Sequence, residues 1–403
     1  MIKLKLAEEF LVSFKKSIAS LHSSPEVMKR RKNITQWVGL NNSSKYIPRM
    51  VACSEKLTKN MVQLEKSDLV HSMNTLTFDI FSEILFGNDV EELETKLYPF
   101  EKSDGSIEQI NLKDMLIKLS KNYIDQYFHP LILMFPFLSE YPIINPFKRD
   151  NTNMVEFKKQ VKALMLASKD TNSVGYKIFT SNIGTEEERL DDLCGMMVAG
   201  TETTAHSLVS CLFFLKKYPD TLQKLRKELS EEGFMKGEKF VDSCTIDKLQ
   251  NCTYLNCCIK ETFRIDSVVG DSFEYEPSED IKICDVPIPK GTNLRLDLIT
   301  NHYNDSKWLD PYAFKPERHD VESEFYQKSK DAGKSPDVYT RRTFSHGMRK
   351  CPGQSLATLE MKVFIAYLVT HIEYEFEDKF TETEGVGFGM GSHFTPYIKV
   401  TQI

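Results

Sequence analysis

The chain has 403 residues, of which 41% are hydrophobic and 27% charged, with a formal net charge of -6. This composition indicates an ordinary globular protein, and the negative charge argues against a general affinity for nucleic acid. Nine cysteines lie at irregular spacings and no secretory signal pattern is present, so we expect a reducing compartment and no disulfide framework.

Near the N-terminus, apolar residues recur at helical spacing, but acidic and lysine residues interrupt them. This segment is expected to be neither a signal peptide nor a membrane span. The longest apolar run, PLILMFPFL at 130–138, is about half as long as a spanning helix, and prolines break it. We therefore expect no segment of the sequence to cross a bilayer.

Most of the remaining chain has the apolar spacing of α-helices. One such helix ends at Gly87, and Thr185 with Glu188 forms a capping box that opens another. No proline follows until Pro219, so the second helix should run for roughly 30 residues. Helices are predicted at 73–87, 219–232, 252–264 and 354–370, and strands at 282–289, 292–299 and 397–403. The sequence predicts one mainly α-helical domain with small β-sheets.

The long helix contains AGTETTAHS at 199–207, in which Gly200 and a cluster of threonines are poor helix formers. Threonine hydroxyls can bond to a carbonyl one turn earlier and bend the helix. A carboxylic acid, Glu202, and an alcohol, Thr203, stand beside this bend and could pass protons from solvent inward. A helix–helix contact through small residues, with Glu202 in water, is the alternative.

Two further charged patterns appear nearer the C-terminus. Glu261 and Arg264 are three residues apart, so they can bond along one face of a helix. Arg318 follows a proline that would break any helix. A solvated charge pair explains each pattern equally well.

The most specific pattern is FSHGMRKCPGQSLA at 344–357, in which a single cysteine, Cys351, stands just before a predicted helix. The helix N-terminus and basic neighbours such as Arg349 should lower the thiol pKa, and Gly353 allows backbone to pack tightly around the sulfur. No second cysteine or histidine stands at zinc-ligand spacing. One thiolate as the sole protein ligand suggests a metal whose other positions are filled by a macrocycle.

The sequence resembles the cytochrome P-450 superfamily of haem-thiolate monooxygenases. Four motifs occur in the order of that family: the acid–alcohol helix, the Glu261–Arg264 pair, the Pro316–Glu317–Arg318 element and the cysteine loop. The motifs cover residues 185 to 403 specifically. The resemblance implies the cytochrome P-450 fold over the whole chain, with haem b as the cofactor.

The resemblance also implies a role for each motif residue. Cys351 would be the axial iron ligand, with Phe344 packed near it and Gly353 beside it. Arg349 would pair with a haem propionate. Glu261, Arg264 and Arg318 would form a buried structural triad that holds the cysteine loop, and Glu202 with Thr203 would be catalytic through proton delivery.

The N-terminal half matches the family less closely. EVMKRRKNITQW at 26–37 resembles the family's third helix, where Arg31 fits the position of a propionate-binding arginine and Val27 replaces the usual tryptophan. Members of the eukaryotic type normally carry further residues before this helix, including a membrane anchor and part of the main sheet. The chain is thus expected to be N-terminally truncated, as a fragment, a misassembled gene product or a reduced form. Residues 265–281 hold six acids and no base where the family often supplies another propionate cation.

The implied activity is insertion of one oxygen atom of O2 into a lipophilic small molecule. No dinucleotide or flavin motif is found, so electrons from NADPH should arrive through a partner reductase. Seven basic and two acidic residues between Lys328 and Lys350 suit an acidic partner, although a solvated charged loop competes with this reading.

Apolar positions on the long helix and after the Glu/Arg helix are candidate substrate contacts, and core packing fits them as well: Met197, Val198, Val268 and Val269. The run 130–138 resembles the family's access-channel region, which can rest on a membrane surface. The resemblance implies the cytosolic face of the endoplasmic reticulum membrane. Two alternatives stay open: a reductase-independent isomerase or dehydratase of the same family, and a non-catalytic truncated remnant.

Overall fold

The structure, a computed structural model, describes most of the chain, with gaps at the N-terminus, in the middle and before the last strand. The described residues are 14–87, 91–127, 131, 134–135, 147–234, 236, 239–270, 272, 275–334, 336–337, 339–377 and 396–403. Most of the predicted access-channel run 130–138 lies outside these residues, as do Phe10 and Leu11, two of the apolar residues at helical spacing near the N-terminus.

Helices dominate the described residues. In chain order they are α1 Pro25–Trp37, α2 Leu40–Ser43, α3 Ile47–Gln63, α4 Leu69–Phe86, α5 Glu91–Thr95, α6 Leu112–Tyr127, α7 Phe147–Ala167, α8 Val174–Phe179, α9 Glu186–Lys217, α10 Pro219–Glu231, α11 Phe240–Ser243, α12 Ile246–Asn251, α13 Thr253–Ile265, α14 Leu298–His302, α15 Glu324–Asp331 and α16 Gln354–His371. Short 3-10 turns occur at Ser44–Tyr46, Pro316–His319 and Gly347–Arg349. The helices predicted in α4, α9, α10, α13 and α16 are confirmed.

The strands form small antiparallel sheets. They are β1 Ser67–Asp68, β2 Tyr98–Glu101, β3 Ile107–Ile110, β4 Ile281–Ile283, β5 Val286–Ile288, β6 Ile372–Phe376 and β7 Tyr397–Gln402. β7 lies between β1 and β6, and its register pairs Ile398 with both Ser67 and Phe376. β2 pairs with β3, and β4 with β5. The predicted strands near 282–289 and 397–403 are thereby confirmed.

The described residues fall into two compact units. The first unit takes residues from 1–37, 81–200 and 271–296, and the second from 38–80, 201–270 and 297–403. Buried side chains such as Phe157 and Leu193 form the core of the first unit, whereas Phe213, Ile259 and Phe364 belong to the core of the second. Among the described residues, no helix is long and apolar enough to cross a membrane.

The end of α4 shows why glycine is needed at position 87. Gly87 has a φ of +58°, in the left-handed region that favours glycine, as the predicted C-cap requires. A Cβ atom here would also lie 1.9 Å from Oδ2 of Asp170. Any other residue would therefore be strained and would displace Asp170.

The long helix α9 begins as its sequence predicts. The backbone N–H of Thr185 donates to Glu188 Oε2 (2.6 Å), and the Glu188 N–H donates to Thr185 Oγ1 (3.2 Å), which is a complete capping box. At Gly200 a Cβ would lie 2.6 Å from the buried ring of Phe81. The weak helix former at this position therefore makes room for an aromatic side chain of the first unit.

In the second unit, α13 is held at its N-terminus by a carboxylate from α10. The two oxygens of Glu228 accept from the N–H groups of Tyr254 (2.6 Å) and Leu255 (2.8 Å), which satisfies helix donors that otherwise lack a partner. This contact fixes the position of the helix that carries Glu261 and Arg264.

The predicted strand at 292–299 is mostly wrong. Leu294 forms one isolated bridge with Tyr275, and the chain then enters helix α14. The Asp297 side chain accepts from the Thr300 N–H (2.8 Å) and so caps this helix. Alternating leucines predicted a strand, but the aspartate offered the backbone a helical start instead.

Candidate active site

Cys351 lies in a loop of the second unit that is fixed to α13. The Cys351 N–H donates to the carbonyl of Phe344 (2.9 Å), so the loop closes on itself. The Phe344 ring packs edge-on against Phe263 of α13, with ring centroids 5.2 Å apart, and the hydroxyl of Thr343 donates to the Phe263 carbonyl (3.1 Å). The predicted position of Phe344 beside the cysteine follows from these contacts.

The backbone of this loop takes a tight path just before the cysteine. Ser345 and Gly347 have φ values of +60° and +69°, and the Lys350 N–H donates to the Gly347 carbonyl (3.1 Å). A serine in the left-handed region of φ is uncommon, and it indicates that the surroundings hold the backbone in this conformation. The chain then enters α16, with Gly353 as the N-cap residue.

The Cys351 side chain is exposed, and a Cβ added at Gly353 would lie 3.9 Å from its sulfur. Within the described part of the chain, no group of three or more His, Cys, Asp or Glu side chains could hold a metal ion. A thiolate is a soft ligand suited to iron or another transition metal. An exposed thiol on a loop held by these contacts fits a metal centre that brings its other ligands with it, as haem does.

Glu261 is the centre of a buried charge cluster in the second unit. Its carboxylate is 0% exposed and accepts from Arg264 Nε (2.9 Å) and Nη2 (2.8 Å) and from Arg318 Nε (2.8 Å). The backbone N–H of Lys315 donates to it as well (2.9 Å). Burial alone would raise the pKa of Glu261, but the Arg264 charge and these hydrogen bonds hold it well below the ordinary value. The structure thus brings the three predicted triad residues together.

A histidine that the sequence analysis missed completes the cluster. His319 Nε2 lies 2.9 Å from Glu261 Oε2, and burial lowers the His319 pKa, so the neutral ring donates its N–H to the carboxylate. The Trp308 ring lies under both arginines, 5.2 Å from Arg264 and 5.9 Å from Arg318. The only sequence signal for His319 is its place directly after Arg318.

The arginines use their other N–H groups to fix the chain between residues 302 and 313. Arg264 donates to the carbonyls of His302, Pro311 and Ala313. Arg318 donates to those of Leu309, Asp310 and Ala313. The cluster therefore supports a segment in which the backbone hydrogen bonds form turns, such as that from the Trp308 N–H to the Asn304 carbonyl (3.0 Å).

His302 connects this cluster to the cysteine loop. Its carbonyl accepts from Arg264 Nη1 (2.9 Å), while its ring Nε2 accepts from the backbone N–H of Arg342 (3.2 Å). Burial lowers the pKa of His302 to about 4, so the ring is neutral and Nε2 can act as an acceptor. The Arg342 carbonyl in turn accepts from the Ser345 N–H (2.8 Å), at the start of the loop.

The acid–alcohol pair lies on α9 within the second unit. Glu202 and Thr203 are both partly buried, and burial raises the pKa of the Glu202 carboxyl to about 7. A carboxyl with a pKa close to neutral pH can give up and regain protons. On the next residue, Thr204 hydrogen-bonds Glu360 of α16, a fully buried acid whose pKa is raised well above its usual value by burial.

The Glu202 titration is directly testable. The infrared carboxyl band of Glu202, assigned by its absence in Glu202→Gln, should disappear with a midpoint near pH 7 rather than near 4.5. Because the folded-state pKa is raised, the contribution of this group to the free energy of unfolding should be present below pH 4.5 and lost as the pH rises through 7. A midpoint near 4.5 would show that Glu202 is fully solvated, as the helix-contact alternative requires.

Arg31, the predicted propionate ligand, lies on α1 in the first unit. It is 7% exposed, and its Nη1 donates to the carbonyl of Ile18 (3.1 Å). The neighbouring Arg30 pairs with Asp192 Oδ2 of α9, 2.7 Å from Nη2. The Val27 side chain is buried on the same helix.

The candidate substrate contacts differ in exposure. Met197 of the first unit is 1% exposed, which suits core packing, and Val268 of the second unit is also buried. Val198 is partly buried, whereas Val269 is 41% exposed. Val269 is therefore the candidate that keeps the most surface for a ligand.

The basic segment 328–350 also lies in the second unit. Lys328, Lys330, Arg341 and Lys350 are exposed. Lys334, Arg342 and Arg349 are partly buried, and the Arg342 guanidinium lies 4.8 Å from the centre of the Tyr339 ring. Exposed positive charge therefore occurs on the same segment as Cys351.

Known proteins of one family resemble this chain. The family model described as cytochrome P450 matches residues 2–393. Cytochrome P450 3A12 of Canis lupus familiaris is 26% identical over 383 residues, which span 90% of this chain and 71% of that protein. Cytochrome P450 3A17 of Cavia porcellus is 25% identical over 387 residues, or 91% and 71% of the two chains.

A solved structure supports the fold. The cyanobacterial protein described as retinoic acid bound CYP120A1 superposes with a TM-score of 0.76 at 17% identity, covering 100% of this chain and 84% of that chain. The predicted family and its mainly α-helical fold are confirmed. The chain belongs to the cytochrome P450 family of haem-thiolate monooxygenases, a family of oxidoreductases.

Proposed function

We propose that this chain binds haem b through Cys351 and inserts one oxygen atom of O2 into a lipophilic small molecule. The observation that carries the proposal is the exposed thiol of Cys351, held on a loop that is tied to a buried charge cluster. When bound, the haem supplies oxygen activation, which a cysteinate ligand favours. By family resemblance, Arg349 and Arg31 would pair with its propionates.

In this proposal, the residues of the candidate site have distinct roles. The Phe344–Phe263 contact and the Gly347 turn hold the loop so that the sulfur stays in one orientation. The Glu261 cluster retains the loop through His302, and takes no part in chemistry. Glu202 takes protons from solvent, because its raised pKa lets it be reloaded at neutral pH, and the Thr203 hydroxyl passes them on.

Electrons come from NADPH through a separate reductase in this proposal. The exposed lysines and arginines of 328–350 offer positive charge beside Cys351, and opposite charge on a partner speeds and orients docking. By family resemblance we place the protein at the cytosolic face of the endoplasmic reticulum, where it makes a peripheral membrane contact.

A reductase-independent isomerase or dehydratase of the same family is the second candidate. It would need no ordered proton delivery, so the buried environment of Glu202 argues for the monooxygenase. A non-catalytic remnant is the third candidate. It predicts that the protein neither retains haem nor oxidises NADPH with a reductase.

Replacement of Thr203 by alanine tests the proposed function. Thr203→Ala should keep the haem spectrum, because the side chain is not a metal ligand. The yield of product per NADPH oxidised should fall at least about tenfold, and hydrogen peroxide should account for most of the loss, because protons then arrive out of order. The measurement uses a substrate found by screening lipophilic compounds for a spin-state shift, with a reductase and NADPH.

Thr370→Ala is the matched control, since it removes a hydroxyl that bonds to a helix carbonyl far along α16 (2.7 Å to Ala366). It should leave the yield unchanged. An unchanged yield in Thr203→Ala would instead favour the reductase-independent alternative.

A further inference from the structure

Side chains donate hydrogen bonds to successive backbone carbonyls of α9 around the acid–alcohol pair. The donors and acceptors are Thr77 Oγ1 to Thr201 O (3.0 Å), His206 Nδ1 to Glu202 O (2.9 Å), Ser207 Oγ to Thr203 O (2.9 Å) and Ser210 Oγ to His206 O (2.9 Å). Bonds of this kind add a second donor to a helix carbonyl and shape the local backbone. Their concentration here fixes the part of α9 that carries Glu202 and Thr203.

The imidazole of His206 makes the most informative of these bonds. The Glu202 carbonyl can only accept, so His206 Nδ1 carries the proton and donates it. This carbonyl belongs to the peptide group that joins Glu202 to Thr203. The ring, which is 6% exposed, therefore holds the amide plane between the acid and the alcohol.

His206 is itself held from the next turn of the helix. The Ser210 hydroxyl lies 2.7 Å from Oδ2 of Asp266, which is 7% exposed at the end of α13, and 2.9 Å from the His206 carbonyl, so these two acceptors share its one proton. Burial lowers the His206 pKa, while its bond to Glu202 and the charge of Asp266 act in the opposite direction. The neutral ring and the buried aspartate thus anchor the turn from 206 to 210 against α13.

We propose that His206 is a positioning residue for the Glu202–Thr203 pair. By fixing the peptide group between them, it keeps the Glu202 carboxyl in its partly buried position and directs the hydroxyl of Thr203. Ser210 and Asp266 hold the turn of α9 that carries His206. The inference rests on the proposed function, in which this pair delivers protons.

A pair of substitutions separates this role from ordinary packing. His206→Leu keeps apolar bulk but removes the donor, whereas His206→Asn keeps a donor. An asparagine can make this bond in the present fold, because Asn256 Nδ2 donates to the carbonyl of Cys252, four residues earlier in α13 (2.6 Å). Ser54→Ala, which removes a buried hydroxyl bonded to the Met50 carbonyl of α3, is the control.

His206→Leu should lower the product formed per NADPH oxidised about fivefold, the effect of one lost hydrogen bond, while the haem spectrum stays unchanged. His206→Asn should restore the yield, and Ser54→Ala should not alter it. A second readout needs no turnover: in the infrared titration, the Glu202 midpoint should move from near 7 toward 4.5 in His206→Leu and return in His206→Asn.

Several results would overturn the proposal. If His206→Leu matches the wild type in both readouts while Thr203→Ala still loses product, His206 has no positioning role and the proposed function stands. If His206→Asn is as impaired as His206→Leu, ring packing rather than the hydrogen bond is responsible. If Thr203→Ala is itself without effect, the proposed function fails and this inference with it. Should His206→Leu not fold, His206→Ala takes its place with the same expectations.

Discussion

Replacement of Cys351 by alanine is expected to abolish the red-shifted Soret band that a thiolate-ligated ferrous carbonyl complex gives in the wild type. The reason is that the thiolate produces this band, and the described residues contain no group of three or more His, Cys, Asp or Glu side chains that could hold a metal ion in its place. The measurement is the carbon monoxide difference spectrum of purified protein reconstituted with haem. The loss should be complete rather than partial, because in the proposed function the sulfur forms the single bond from protein to metal.

Cys284→Ala is a matched control for this result. Cys284 is the other exposed cysteine among the described residues, and it lies in the turn between β4 and β5 with a φ of +47°. Its loss should leave the band unaltered. An unchanged band in Cys351→Ala would remove the ligand assignment, and a histidine-type carbonyl spectrum in the wild type would mean that the thiolate is protonated or displaced.

The cysteine loop could be predicted because its chemistry is local. A lone cysteine, two flanking glycines and the start of a helix lie within ten residues, so the sequence alone places the thiol at a helix N-terminus. The same holds for α9, whose start is set by the contact of Thr185 with Glu188. Contacts between residues that are close in the chain can therefore be predicted from the sequence alone.

The contacts that hold this loop could not be predicted, since their partners are distant in sequence. His302 accepts from Arg342, forty residues later, and nothing in either segment marks the pairing. His206 stands four residues after Glu202, a spacing visible in the sequence, but the bond goes to the backbone carbonyl rather than to the carboxylate. The predicted strand at 292–299 failed because the capping by Asp297 outweighed the alternation of leucines.

The Glu261–Arg264 spacing was ambiguous for a different reason. A pair three residues apart is equally compatible with a solvated helix face, and only burial distinguishes the two cases. The structure resolves this, since Glu261 is 0% and Arg264 2% exposed, with Arg318 and His319 in the same cluster. Burial also changes the energetics from negligible to large, because a buried charge must keep its partners.

Glu261→Ala should consequently destabilise the folded protein by about 3–5 kcal/mol, because Arg264 and Arg318 would be left buried without their counter-charge. Little haem should remain with the protein after gel filtration, since the segment 302–313 and, through His302, the cysteine loop lose their support. Urea unfolding followed by far-ultraviolet circular dichroism measures the loss of stability.

His319→Phe should lower the free energy of unfolding by only about 1 kcal/mol, because Arg264 Nε still bonds the Glu261 oxygen that His319 contacts.

Glu317→Ala provides the control from the same 3-10 turn. Glu317 pairs with an exposed lysine, Lys224 (2.7 Å), and accepts from the Tyr254 hydroxyl (3.1 Å), so its loss should cost about 1–2 kcal/mol. The pH dependence has a definite sign: because the Glu261 pKa is depressed, its stabilisation is present above pH 4.5 and is lost as the pH falls below that value. The difference in unfolding free energy between wild type and Glu261→Ala should therefore shrink in acid. If Glu261→Ala unfolds like Glu317→Ala at neutral pH and retains haem, the cluster does not hold the cysteine loop.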